Sequence, residues 1–163
     1  MSNEHRKLES NAAAGQKWSF SRANNEDKPG DGMMTDSEFL AQFEACTLPI
    51  AAFPHQGHLR LTWIYLSNHD LQQSMQYITE GILRYATSLG AAHKYHDTLT
   101  RAWVLLVYQA MQKHKTETFN KFLSQNQHLL NKDALSFHYS KELLASNQAR
   151  HHWVEPDLMP FGN

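Results

Sequence analysis

Leu71, Met75, Ile78, Ile82, Tyr85 and Leu89 recur at three- and four-residue intervals. That spacing gathers all six on one face of an α-helix and would scatter them over both faces of a strand. An apolar helical stripe of this length must be buried against partners of the same kind. No stretch of the chain alternates apolar and polar residues well enough to compete as a strand. The fold expected is all-α: a four- or five-helix antiparallel bundle with an extended C-terminal tail.

The other elements fall on either side of this helix. Thr35-Asp36-Ser37-Glu38 fits a capping box, with Phe39, Leu40 and Phe43 following at helical spacing, and Leu48-Pro49 closes this first helix. Residues 50–53 form an apolar connector. A second helix starts near Pro54 or His55 and runs to Leu66 or Ser67. Asp70 and Gln73 cap the third, and Gly90 ends it. The fourth is expected from Tyr95 to Gln112, with Trp103, Leu106, Val107 and Ala110 facing inward. A fifth follows Thr116 or Thr118 and uses Phe119, Phe122 and Leu123. Shorter turns fill residues 134–150. From about residue 151 the chain carries Pro156 and Pro160, which forbid regular helix and favour an extended tail.

Residues 1–33 read differently. Asn, Ser, Ala, Gly, Lys and Glu dominate, and Trp18 and Phe20 are the only large anchors, too few to offset the entropy of ordering so long a segment. They are expected to form a disordered or weakly docked tail, leaving residues 34–163 as the folded domain. With 163 residues the chain suffices for one core. Its 15 basic and 16 acidic residues are dispersed, so the basic stripe of a nucleic-acid binder is missing. No apolar run reaches the roughly 20 residues of a membrane span. The single cysteine, Cys46, excludes an intramolecular disulfide and reads as a small buried hydrophobe. With no apolar signal segment in view, a cytoplasmic setting is the expectation.

Two histidine pairs carry the chemistry. His55 and His58 stand three apart at the start of the second helix, and His93 and His96 stand three apart at the start of the fourth. Short connections make successive helices antiparallel, so the second and fourth begin at the same end of the bundle. Three or four imidazoles therefore converge there. Imidazole suits iron, zinc, copper and nickel, and three histidines leave a coordination position for water or substrate. The expected cofactor is such a transition metal, held by His55, His58 and His96. Asp97, Glu155 and Asp157 are the candidate acid–base groups or further ligands, the latter two on a tail that could serve as a lid. Arg60, Arg101 and Thr100, about one turn further along, are the candidate substrate contacts for an anionic small molecule. The diiron Glu-x-x-His pairs and the His-Glu-x-x-His signature are absent.

Each of these residues also has a structural reading. A histidine at a helix start often caps it, Arg60 and Arg101 could form ion pairs, and the aromatics have the spacing of core. Three functions stay open: a mononuclear metal-dependent enzyme, a non-catalytic binding or interaction module with structural histidines, and metal-free acid–base chemistry by one histidine.

Phe53, His55, His58, Leu59 and Arg60, followed by Tyr95, His96, Thr98 and Thr100, resemble the Phe-x-His-x-x-His-Leu-Arg and Tyr-His-x-Thr-x-Thr motifs of a family of small bacterial helical proteins of unassigned function. Leu144, Ser146, Ala149 and Arg150, then Glu155-Pro156-Asp157-Leu158, are similar to that family's ending. The resemblance covers most of residues 38–161 and implies no activity. It leaves His93 outside the pattern, which makes His55, His58 and His96 the stronger trio.

Overall fold

Thr35 opens the fold. Its hydroxyl accepts from the Glu38 amide while the Glu38 carboxylate accepts from the Thr35 amide, closing the expected capping box on α1 (Asp36–Glu44). The computed structural model describes residues 34–162. The expectations for residues 1–33, including anchoring by Trp18 and Phe20, lie outside them.

Helix α1 ends in a left-handed turn at Cys46, whose φ is +58°. Cys46 thus occupies the position glycine usually takes after a helix, and it is half-buried rather than the fully buried hydrophobe expected. A 3-10 turn at Ile50–Ala52 leads into α2 (His55–Asn68). Asp70, bonded to the Gln73 amide, caps α3 (Leu71–Ser88), and Gly90 follows it with φ +70°. A 3-10 turn at Ala92–Lys94 precedes α4 (Asp97–Lys113). Then come α5 (Phe119–Gln125), 3-10 turns at Gln127–Leu130 and Lys132–Phe137, α6 (Lys141–Leu144) and α7 (Asn147–His151). The described residues contain no strand.

The all-α expectation holds. Helices α2, α3 and α4 pack pairwise, and α1 lies across α2 and α3. The main core gathers Phe39, Phe43, Phe53, Ile64, Ile78 and Tyr85. Phe43 sits against Gly81, where a Cβ would come within 2.8 Å of the ring, so the missing side chain sets the close approach of α1 to α3. Arg60 of α2 reaches Asp36 of α1 and the Met34 carbonyl, tying the start of the domain to its centre.

A second, smaller core lies on α4, where Ala102 meets Ala149 of α7, with Leu135, Tyr139 and Val154 around them. The C-terminal tail is extended, as expected, and belongs to this second core. Thr98 donates to the His152 carbonyl and accepts from the Val154 amide, and Tyr139 donates to the Val154 carbonyl. Among the described residues no helix is long and apolar enough to cross a membrane.

Candidate functional site

The starts of α2 and α4 border a cleft of about 380 Å³ that His55, His58 and His96 all line, together with Ile78 and Ile82 from the middle of α3. The convergence expected from helix order is therefore realised. What the three imidazoles do there differs from residue to residue.

His96 is the N-cap of α4 rather than a member of its first turn, so the helix starts two residues later than expected. Its Nδ1 accepts from the Leu99 amide at 3.1 Å, and its Nε2–H donates to the Leu144 carbonyl at 2.8 Å. Both ring nitrogens are used by backbone groups, which fixes one neutral tautomer and leaves no lone pair for a metal. His55 donates from Nε2 to the Leu129 carbonyl at 2.8 Å and sets its ring edge-on against Trp103, with centroids 4.5 Å apart. That bond leaves Nδ1 as an acceptor. Among the described residues no group of three or more His, Cys, Asp or Glu side chains is arranged to hold a metal ion. The trio shares a cleft without forming a metal-ligand cluster.

His58 stands apart. Its ring stacks on Phe53 with centroids 3.9 Å apart, and neither nitrogen has a hydrogen-bond partner among the described residues. Burial, with the neighbouring His55 adding to it, lowers its pKa from 6.5 to about 4. The ring is neutral at pH 7, with one donor and one acceptor unspent.

Gly57 sets the floor beneath it. A Cβ there would lie 2.8 Å from the Ala52 carbonyl and 3.2 Å from the Phe53 ring. The connector can fold under the start of α2 only because that side chain is missing. Gly57→Ala gains helix propensity but is expected to lose about 1–3 kcal/mol through the clash with backbone. Chemical denaturation measures the loss, and the His58 ring resonances should move with it as Phe53 shifts.

The lowered pKa of His58 also makes stability depend on pH. The unfolded chain binds a proton at this residue near pH 6.5 and the folded chain only near 4. Between these values unfolding takes up a proton, so the contribution is complete above pH 6.5 and is lost as pH falls toward 4. Its full size is up to roughly 3 kcal/mol. Urea unfolding at pH 7 and pH 4.5 should show His58→Gln losing less stability on acidification than the parent chain.

The remaining candidates are occupied elsewhere. Asp97 accepts from the Tyr95 hydroxyl and from Arg101 Nε, each at 2.8 Å, so this carboxylate and the guanidinium of Arg101 satisfy each other one turn apart on α4. Neither lines the histidine cleft. Arg60 is spent on Asp36, and Glu155 accepts from the Trp153 indole N–H. Asp157 accepts from the amide and hydroxyl of Ser140, fastening the tail to the start of α6. The tail carrying these two carboxylates closes the second core and is not a lid on the cleft. Thr100 does line the cleft, but its hydroxyl donates to the His96 carbonyl.

Spacing alone did not reveal Lys94, Lys132 and Trp103 as cleft residues. Lys132 opens a 3-10 turn far along the chain and carries no periodic signal. The two motif stretches, by contrast, do meet: Leu144 receives the bond from His96, and Arg150 donates to the His93 and Tyr95 carbonyls just before α4. His93 faces a neighbouring cleft of about 370 Å³ together with Glu80, Asp97 and Arg150. Comparison with protein-family models, curated proteins and solved structures gave no match.

Proposed function

We propose that the cleft between α2, α3 and α4 binds a small molecule and that His58 is the polar group that reads it. The observation carrying this reading is a neutral imidazole without a hydrogen-bond partner among the described residues, held by Phe53 at the wall of a cleft whose size falls within the roughly 300–1,000 Å³ of small-molecule sites. His96 spends both ring nitrogens on the fold and His55 spends one. Among the described residues His58 spends neither.

Free His58 is a hydrogen-bonding group before it is a base. With a pKa of about 4 it is unprotonated at neutral pH but too weakly basic to drive proton abstraction well. Catalysis by this residue would depend on a ligand that raises its basicity, so binding is the reading and chemistry a consequence of the ligand. A fragment screen followed by ¹H–¹⁵N correlation of the imidazoles tests it. Binders should shift the His58 ring signals and lose at least tenfold in affinity in His58→Ala, whereas binders that leave His58 unmoved would contradict it.

The metal-centre reading rests on the shared cleft of His55, His58 and His96. It requires His96 to leave both the Leu99 amide and the Leu144 carbonyl. Elemental analysis of the purified protein and of His96→Asn separates the cases: stoichiometric transition metal lost in the variant supports a metal centre, and metal retained in both assigns any ion to other residues.

A further inference from the structure

We infer that the molecule this cleft takes is an amphipathic anion: an apolar or aromatic body carrying one negatively charged headgroup. The inference rests on the proposal that the cleft is a small-molecule site and adds the charge and shape of its occupant. Much of the wall is apolar, with Phe53, Leu59, Ile78, Ile82, Leu99 and Trp103 contributing. Two lysines belong to this lining, Lys94 from the turn before α4 and Lys132 from the turn after Leu130. Both side chains are exposed, and neither forms an ion pair among the described residues.

No Asp or Glu among the described residues lines this cleft. The neighbouring cleft, which shares Tyr95 with it, carries both Glu80 and Asp97. The contrast matters because a carboxylate beside the lysines would neutralise them and leave the mouth indifferent to charge. As built, two lysines that form no ion pair among the described residues share a partly apolar recess with a neutral imidazole in its wall. A carboxylate or similar headgroup at this lining is attracted by the charges of Lys94 and Lys132, while the apolar body packs on Trp103 and the α3 isoleucines. Lysine meets such a group as a flexible point charge, so the headgroup need not be planar.

The test uses three probes with one body and three charges: 4-phenylbutyrate, 4-phenyl-1-butanol and 4-phenylbutylamine. Each is titrated into the full chain at pH 7 and read by the His58 ring signals and by calorimetry. The carboxylate is expected to bind about tenfold tighter than the alcohol, from two partly exposed contacts, and the amine weakest. Added salt should shrink the carboxylate's advantage. Lys94→Gln with Lys132→Gln should erase it, bringing carboxylate and alcohol to the same affinity. If the alcohol binds as tightly as the carboxylate in the parent chain, the site remains a small-molecule site and the anion inference is overturned. If none of the three moves His58, the inference fails together with the binding proposal.

Discussion

Asp36→Ala should lower stability by about 3–5 kcal/mol, the cost of leaving one partner of a buried ion pair alone. The Asp36 side chain is 2% exposed and that of Arg60 12%, with Oδ1 accepting from the guanidinium at 2.8 and 2.9 Å. Arg60 also donates to the Met34 carbonyl and lies 4.8 Å over the Phe39 ring, so it cannot swing into water without uncovering the core. For a domain of this size the expected fall in Tm is ~10–20 °C. The double variant Asp36→Ala with Arg60→Met should recover much of the loss, because replacing both charges removes the desolvation cost along with the attraction. Thermal unfolding of the three proteins decides it. A single-variant loss below about 1 kcal/mol would mean that the pair behaves as a surface salt bridge.

His96→Ala is the second large effect, at about 2–4 kcal/mol. Part is the lost helix cap and part the half-buried Leu144 carbonyl left without this donor. His96→Asn should restore about half, since asparagine can cap α4 but cannot reach Leu144. The loss should be the same with and without a strong chelator. Chelator dependence would instead mean that His96 stabilises the fold through a metal ion. Denaturation curves for the three proteins, each with and without chelator, distinguish these outcomes.

Much of the fold was legible because local chemistry and global packing agree. The Thr35–Glu38 box, the stripe from Leu71 to Tyr85, Asp70 as a cap and Gly90 after α3 are all near-neighbour patterns, and each stands where spacing put it. α4 starts later than its spacing suggests because histidine is not among the usual capping residues, so nothing local marks His96 as the cap. Helix order was enough to bring His55, His58 and His96 to one cleft. It could not set the rotation of each helix, and rotation decided that His96 faces two backbone groups while His58 faces the cleft. The partners of Arg60 and the position of Lys132 were out of reach for a related reason: each is fixed by contacts between segments far apart in the chain. Asp97 and Arg101 illustrate the opposite case. Their four-residue spacing on one helix already favoured an ion pair, and the ion pair is present.

The central claim is that His58 is a half-buried, neutral imidazole in this cleft with no hydrogen-bond partner among the described residues. Its most direct test is a pH titration of the His58 ring signals by NMR, assigned through their disappearance in His58→Gln. A midpoint near 4, with both nitrogens free of a strong hydrogen bond at pH 7, is the result predicted. A midpoint at or above the ordinary 6.5 would contradict it, placing His58 in solvent or on a carboxylate and removing the feature that marks this cleft as a binding site.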